Sequence, residues 1–185
     1  MLIKISAFLL ETLFFALIGA ALLRAYMNTL RMSMAVQPGQ FVMALTDWLV
    51  KPLRRALPAT WAQSRLDTAS LLAVSVLAVL YALICLGWQF WTPGGSEPVL
   101  AAILTVLLFA LQMLVRVALQ LAVFTVLAYV IVSWTQPGGG AYYALTCLTT
   151  PLLAPLRRVL PIVGGIDLSA LVLLLLLQMA ILVLT

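Results

Sequence analysis

The sequence predicts an all-α membrane protein with four transmembrane helices, arranged as two parallel two-helix repeats. Each repeat is expected to carry a short interfacial helix and a proline-bracketed Arg-Arg turn. Three observations lead there. The 185 residues are 65% hydrophobic, with ten basic and five acidic side chains at a mean hydropathy of +1.21, too little charge to cover the surface of a soluble domain. Apolar runs of about 18 residues or more recur, the length needed to cross roughly 30 Å of hydrocarbon. Finally, Pro52-Leu53-Arg54-Arg55-Ala56-Leu57-Pro58 returns 103 residues later as Pro155-Leu156-Arg157-Arg158-Val159-Leu160-Pro161, with a single change. A phrase repeated between apolar spans indicates a duplicated membrane unit.

The first span is expected over residues 5–27. A signal peptide is the competing reading, since Lys4 precedes an apolar run and small residues stand at Gly19-Ala20-Ala21. Glu11 interrupts what would be an uncharged core, and residues 107–134 occupy the same place in the second repeat, so the segment reads as a retained helix. Residues 28–66 form a basic loop. Within it Phe41, Ala44, Leu45, Trp48 and Leu49 recur at helical spacing, and Asp47 stands four residues before Lys51. That pattern predicts a short amphipathic helix in the interface, with Trp48 at headgroup depth. Pro52 and Pro58 are expected to end regular helix, leaving Leu53 to Leu57 irregular or a single turn.

The second span is expected over residues 68–91, opened by Asp67 as a cap for free backbone N–H groups, with Ser70 beside it. Trp88, Phe90 and Trp91 suit the opposite interface, and Thr92 to Pro98 is a tight connector. Residues 99–134 lack breakers and are expected to form one helix of about 54 Å, longer than one bilayer, so part of it must tilt or project. Gln136-Pro137-Gly138-Gly139-Gly140 ends it. Residues 141–154 repeat the interfacial element, and Gly164-Gly165-Ile166-Asp167 leads into a last span over 168–184. The first repeat therefore takes residues 1–92 and the second 99–185, within one membrane domain.

Four spans place both basic loops on one side. Arg24 to Arg65 holds six basic residues and the second loop adds Arg157 and Arg158, so that side is expected to be cytoplasmic, with both termini outside. The net charge of +5 thus speaks for orientation in a membrane rather than for nucleic acid.

Chemistry is sparse. There is no His, and Cys85 and Cys147 are the two cysteines, so no metal-ligand set, cofactor site or nucleophile with a base is expected. The Arg pairs (Arg54, Arg55, Arg157, Arg158) read either as topology anchors or as an anionic site for lipid phosphate or an acidic partner surface. Asp67 and Asp167 read as helix caps or as partners of an Arg pair that would lock the turn. Gln112, Gln120 and Gln178 suit interhelical hydrogen bonds. Glu11 lies about 20 Å from the inner end of its span and Arg116 about 25 Å from the inner end of its own, so an ion pair joining the two repeats is expected.

The pattern Thr149-x-Pro151-Leu152-Leu153-x-Pro155-Leu156-Arg157-Arg158-x-Leu160-Pro161, then Gly164-Gly165-Ile166-Asp167-Leu168-Ser169, resembles the YggT family of small bacterial membrane proteins. Val132-Ser133-Trp134 fits it too. The first repeat resembles a worn copy, with Trp48 in place of the first Pro and residues 59–66 in place of the Gly-Gly-Ile. The resemblance implies a multi-pass protein of the bacterial inner membrane, linked with osmotic tolerance, ion homeostasis and cell-division gene neighbourhoods. Plastid relatives are linked with nucleoid and membrane-complex organisation. No catalytic residues come with it. The leading expectation is a non-enzymatic organiser whose basic turns bind anionic phospholipid headgroups or a membrane or cytoplasmic protein partner. The alternative is a small, homo-oligomeric channel or transport component built around Glu11 and Arg116.

Overall fold

The computed structural model describes residues 2–34, 38–57, 67–90, 99–158, 162–163 and 166–184. Among the described residues six helices carry the fold: α1 (Leu2–Thr29), α2 (Gly39–Ala56), α3 (Thr68–Phe90), α4 (Val99–Thr135), α5 (Gly140–Arg157) and α6 (Leu168–Leu184). Between α5 and α6, β1 (Ile162–Val163) pairs antiparallel with β2 (Ile166–Asp167), Ile162 opposite Asp167. Three helices, α1, α3 and α4, are long and apolar enough to cross a membrane, and α6 is a shorter apolar helix of 17 residues. At 37 residues α4 extends about 55 Å, beyond one bilayer thickness.

α1, α3 and α4 meet in the main core. Phe14 and Ile18 of α1, Leu77 and Tyr81 of α3, and Met113 and Val117 of α4 interlock there. Ala21, Ala78, Ala82 and Ala110 stand at the seams, and small residues are what allow helix backbones to approach when lipid supplies no hydrophobic drive between them. A second core joins Val126 and Tyr129 of α4 to Leu153 of α5 and Ala170 of α6. A third joins Val50 of α2 to Ala69 and Ala73 of α3. Val50 and Leu153 are repeat-equivalent, and α2 and α5 each seat the same position against the helix that follows.

The prolines do not stop α2 and α5. α2 runs through Pro52 to Ala56, and α5 runs through Pro151 and Pro155 to Arg157. A proline removes one intrahelical N–H and crowds the carbonyl four residues back, a local penalty. Here it is outweighed by the buried stripe Val42, Thr46 and Val50 on α2, and by Leu148, Thr149 and Leu153 on α5. Leu53 to Ala56 is therefore helix rather than an irregular segment, and α2 ends at Leu57, whose N–H reaches the Leu53 carbonyl.

α1 ends in a Schellman turn. The Met32 N–H bonds the Met27 carbonyl, the Arg31 N–H bonds the Asn28 carbonyl, and Arg31 takes φ 54°, a left-handed conformation usually given to glycine. The expected positions of Pro58, Arg65, Trp91, the 92–98 connector, Pro161 and Gly164-Gly165 lie outside the described residues, as do the side chains of Trp88 and Phe90.

Candidate functional site

Each repeat builds the same latch from an arginine, an aspartate and a serine. In the second repeat the β1–β2 pair brings Asp167 to the start of α6, within reach of the end of α5. Arg157 donates to Asp167 Oδ2 from Nε at 3.0 Å and from Nη2 at 2.6 Å. The other carboxylate oxygen accepts the Ser169 backbone N–H at 3.1 Å and the Ser169 hydroxyl. Asp167 is thus both helix cap and counter-ion. Burial raises its carboxyl, but the Ser169 hydrogen bonds and the Arg157 guanidinium outweigh that and hold it below the ordinary carboxylate range. Burial likewise works against the charge on Arg157, and Asp167 more than restores it.

In the first repeat Arg54 Nη2 straddles Asp67, 3.0 Å from Oδ1 and 3.1 Å from Oδ2. Ser70 donates its N–H to Oδ1 at 3.3 Å and its hydroxyl to Oδ2 at 2.8 Å. This copy is looser on the arginine side: the Arg54 side chain is 51% exposed against 33% for Arg157. Arg157 is also held by Tyr129 of α4, whose hydroxyl accepts from Nη2 at 2.9 Å and whose ring lies 5.8 Å from the guanidinium carbon.

The latch divides each arginine pair. The first arginine is consumed by its aspartate, whereas the second, Arg55 or Arg158, is exposed and makes no ion pair among the described residues. The structure thus distinguishes the two arginines of each pair, which the sequence offers together as topology anchors or as an anionic site. A guanidinium already bonded to a carboxylate has fewer N–H groups to offer a phosphate. Arg31, exposed at the end of α1, also lacks an ion pair among the described residues.

Two further networks tie α2 and α5 to the end of α1, and sequence reading did not find them. Arg24, counted above with the loop cations, is buried inside α1 and donates from Nη1 to Thr46 Oγ1 and to Asp47 Oδ1, each at 2.8 Å. Asp47 also pairs with Lys51 at 2.7 Å, as its spacing predicts. Lys51 lowers the Asp47 carboxyl most, burial pushes back, and Arg24 lowers it further. On the other side Tyr26 Oη donates to the Leu148 carbonyl of α5 at 2.8 Å. α2 and α5 thereby both pack at the same end of α1. The available signal for the first network was the recurrence of Thr46 and Thr149, six residues before the first proline of each phrase. Both are buried and bond the carbonyl four residues back.

Deeper in the bundle Glu11 and Arg116 stand together, with Nη1 3.5 Å from Oε1. An isolated charge at the bilayer centre costs at least about 2.5 kcal/mol on insertion scales, so each makes the other tolerable. Gln112 donates to the Leu184 carbonyl at 2.9 Å, satisfying a free acceptor in the last turn of α6. Among the described residues no cluster of three His, Cys, Asp or Glu side chains is placed to hold a metal ion.

Comparison with known proteins agrees with this duplicated plan. Residues 3–89 and 108–185 each match the family model described as CCB3/YggT. The chain is 32% identical over 171 residues to the YggT protein of Escherichia coli (strain K12), covering 92% of this chain and 84% of that protein. It is 33% identical over 175 residues to a Vibrio alginolyticus protein of the proC 3′ region, covering 94% and 90%. A Haemophilus influenzae protein is 31% identical over 153 residues, 82% of this chain and 75% of that protein. No solved structure matches the chain.

Proposed function

The chain belongs to the CCB3/YggT family of bacterial membrane proteins, and from that premise we propose that it is a non-enzymatic organiser of the cytoplasmic membrane. It crosses the bilayer four times as two parallel repeats, with the basic loops cytoplasmic and both termini outside. Its working surface is the inner face, where Arg55 and Arg158 reach for anionic phospholipid headgroups.

One observation carries this reading: in both repeats the aspartate takes the first arginine and leaves the second exposed. Topology anchors would need no such division, because positive charge anywhere in the loop orients a span. A latch that fixes the turn and holds one guanidinium outward is a preorganised phosphate donor, and Arg suits phosphate through its planar fork. Parallel repeats are supported by the order of contacts between α1 and α4. Glu11 lies beside Met113, Gly19 against Val117, and Tyr26 shares a groove with Thr125.

The test is lipid retention. Protein extracted from membranes with native lipid should carry anionic phospholipid, and the Arg55→Gln/Arg158→Gln variant should lose it while keeping zwitterionic lipid. Unchanged anionic lipid in that variant would reduce the arginine pairs to orientation signals. Retention of a specific protein in place of lipid would move the site to a protein surface.

A further inference from the structure

The Glu11–Arg116 groove opens outward from the chain. The two side chains remain 44% and 41% exposed, in a cleft of about 380 Å³ between α1 and α4 shared with Thr12 and Gln120 and rimmed by Phe8 and Phe15. Arg116 stands near the middle of α4, roughly 25 Å from either end. Lipid tails offer no hydrogen-bond partner and no charge. The intramolecular contact of 3.5 Å is also longer than the roughly 2.7–2.9 Å of a direct charge-assisted bond, and Arg carries five donors. Polar capacity is left over at a depth where nothing in the bilayer can use it.

We propose that a second copy of this chain covers this groove, packed about a two-fold axis along the membrane normal. In that arrangement Glu11 of each copy faces Arg116 of the other. The charge pattern selects this occupant. A patch holding one anion beside one cation is self-complementary under a two-fold rotation, so anion meets cation twice and the net charge of the buried quartet is zero. A headgroup would have to leave the interface to reach the same depth. A different protein would have to present the reversed pair on its own helices. The rim supports the same geometry. Phe8 and Thr12 lie one turn apart on α1 and are both exposed, so two copies of α1 can meet along that stripe. This is independent of the headgroup reading, which concerns the other end of the bundle.

The experiment places one cysteine on the axis. In a Cys85→Ser/Cys147→Ser background, Thr12→Cys should be bridged to a dimer in native membranes by oxidation or a short bis-maleimide. Leu175→Cys on α6, exposed but outside the groove, should stay monomeric. Adding Glu11→Lys to Thr12→Cys should cut bridging about tenfold, the effect of roughly one unit in the logarithm of an association constant. Adding Arg116→Glu as well should restore it, because the reversed patch is again self-complementary. A monomer at Thr12→Cys, equal bridging at Leu175→Cys, or a product joined to a different protein would each overturn the proposal.

Discussion

Tyr26 on α1 donates its hydroxyl hydrogen to the Leu148 carbonyl on α5, 122 positions further along the chain. Its counterpart Tyr129, 103 residues on, instead receives a hydrogen bond from Arg157 of its own repeat. One duplicated tyrosine thus joins the repeats, and the other tightens a latch. Tyr26→Phe should cost about 1 kcal/mol, the net worth of one hydrogen bond, and more if the Leu148 carbonyl is left without water. Thermal unfolding in detergent checks the loss. Hydrogen exchange should localise it to α5 rather than α2.

Arg31 occupies a left-handed backbone position that costs an L-residue roughly 1–2 kcal/mol relative to glycine. Arg31→Gly should therefore raise thermal stability by about 1 kcal/mol, while removing one cation from the face proposed to be cytoplasmic. A stability gain accompanied by weaker binding to anionic vesicles would show strain retained for the sake of a charge.

Asp47 and Asp167 both titrate below the ordinary carboxylate range, held there by Lys51 and Arg24 in one case and by Ser169 and Arg157 in the other, against the opposing effect of burial. A carboxylate with a depressed folded value contributes stability that is fully present above its unfolded value, about 3.9. That contribution is lost as pH falls through the folded value. The melting temperature should hold from neutrality to about pH 5 and drop below about pH 4. Asp167→Asn should flatten part of that acid limb, and an unchanged limb would show that Asp167 contributes nothing to it.

Cys147 lies exposed on α5, at the end of the bundle assigned to the cytoplasm. A membrane-impermeant thiol reagent should leave it unlabelled in intact cells and label it in inverted vesicles. Labelling from outside would reverse the proposed orientation.

Much of this fold was legible because membrane helices announce themselves by length and apolar content. The starts of α3 and α6, the single long α4 and the meeting of Glu11 with Arg116 all follow from counting residues along apolar runs. The path through Pro52, Pro151 and Pro155 did not, because a local proline rule cannot weigh the tertiary packing of Val50 and Leu153 that keeps those helices intact. The pairing of β1 with β2 before α6 was missed, since two-residue strands leave no periodicity to read. Asp67 and Asp167 were seen both as caps and as counter-ions. That each is both at once, and so separates Arg54 from Arg55 and Arg157 from Arg158, needed side-chain geometry.

Within each pair the two arginines do different work, and two single variants separate them. Arg157→Gln breaks hydrogen bonds to Asp167 and Tyr129 and leaves a part-buried carboxylate without its cation, so it should lower stability by about 1.5–3 kcal/mol. Arg158→Gln should leave stability unchanged and weaken binding to phosphatidylglycerol vesicles. Thermal unfolding and vesicle binding measured side by side on the two variants should therefore give opposite profiles. Equal loss of stability in both, or vesicle binding lost in Arg157→Gln but intact in Arg158→Gln, would contradict the division of labour within the pair.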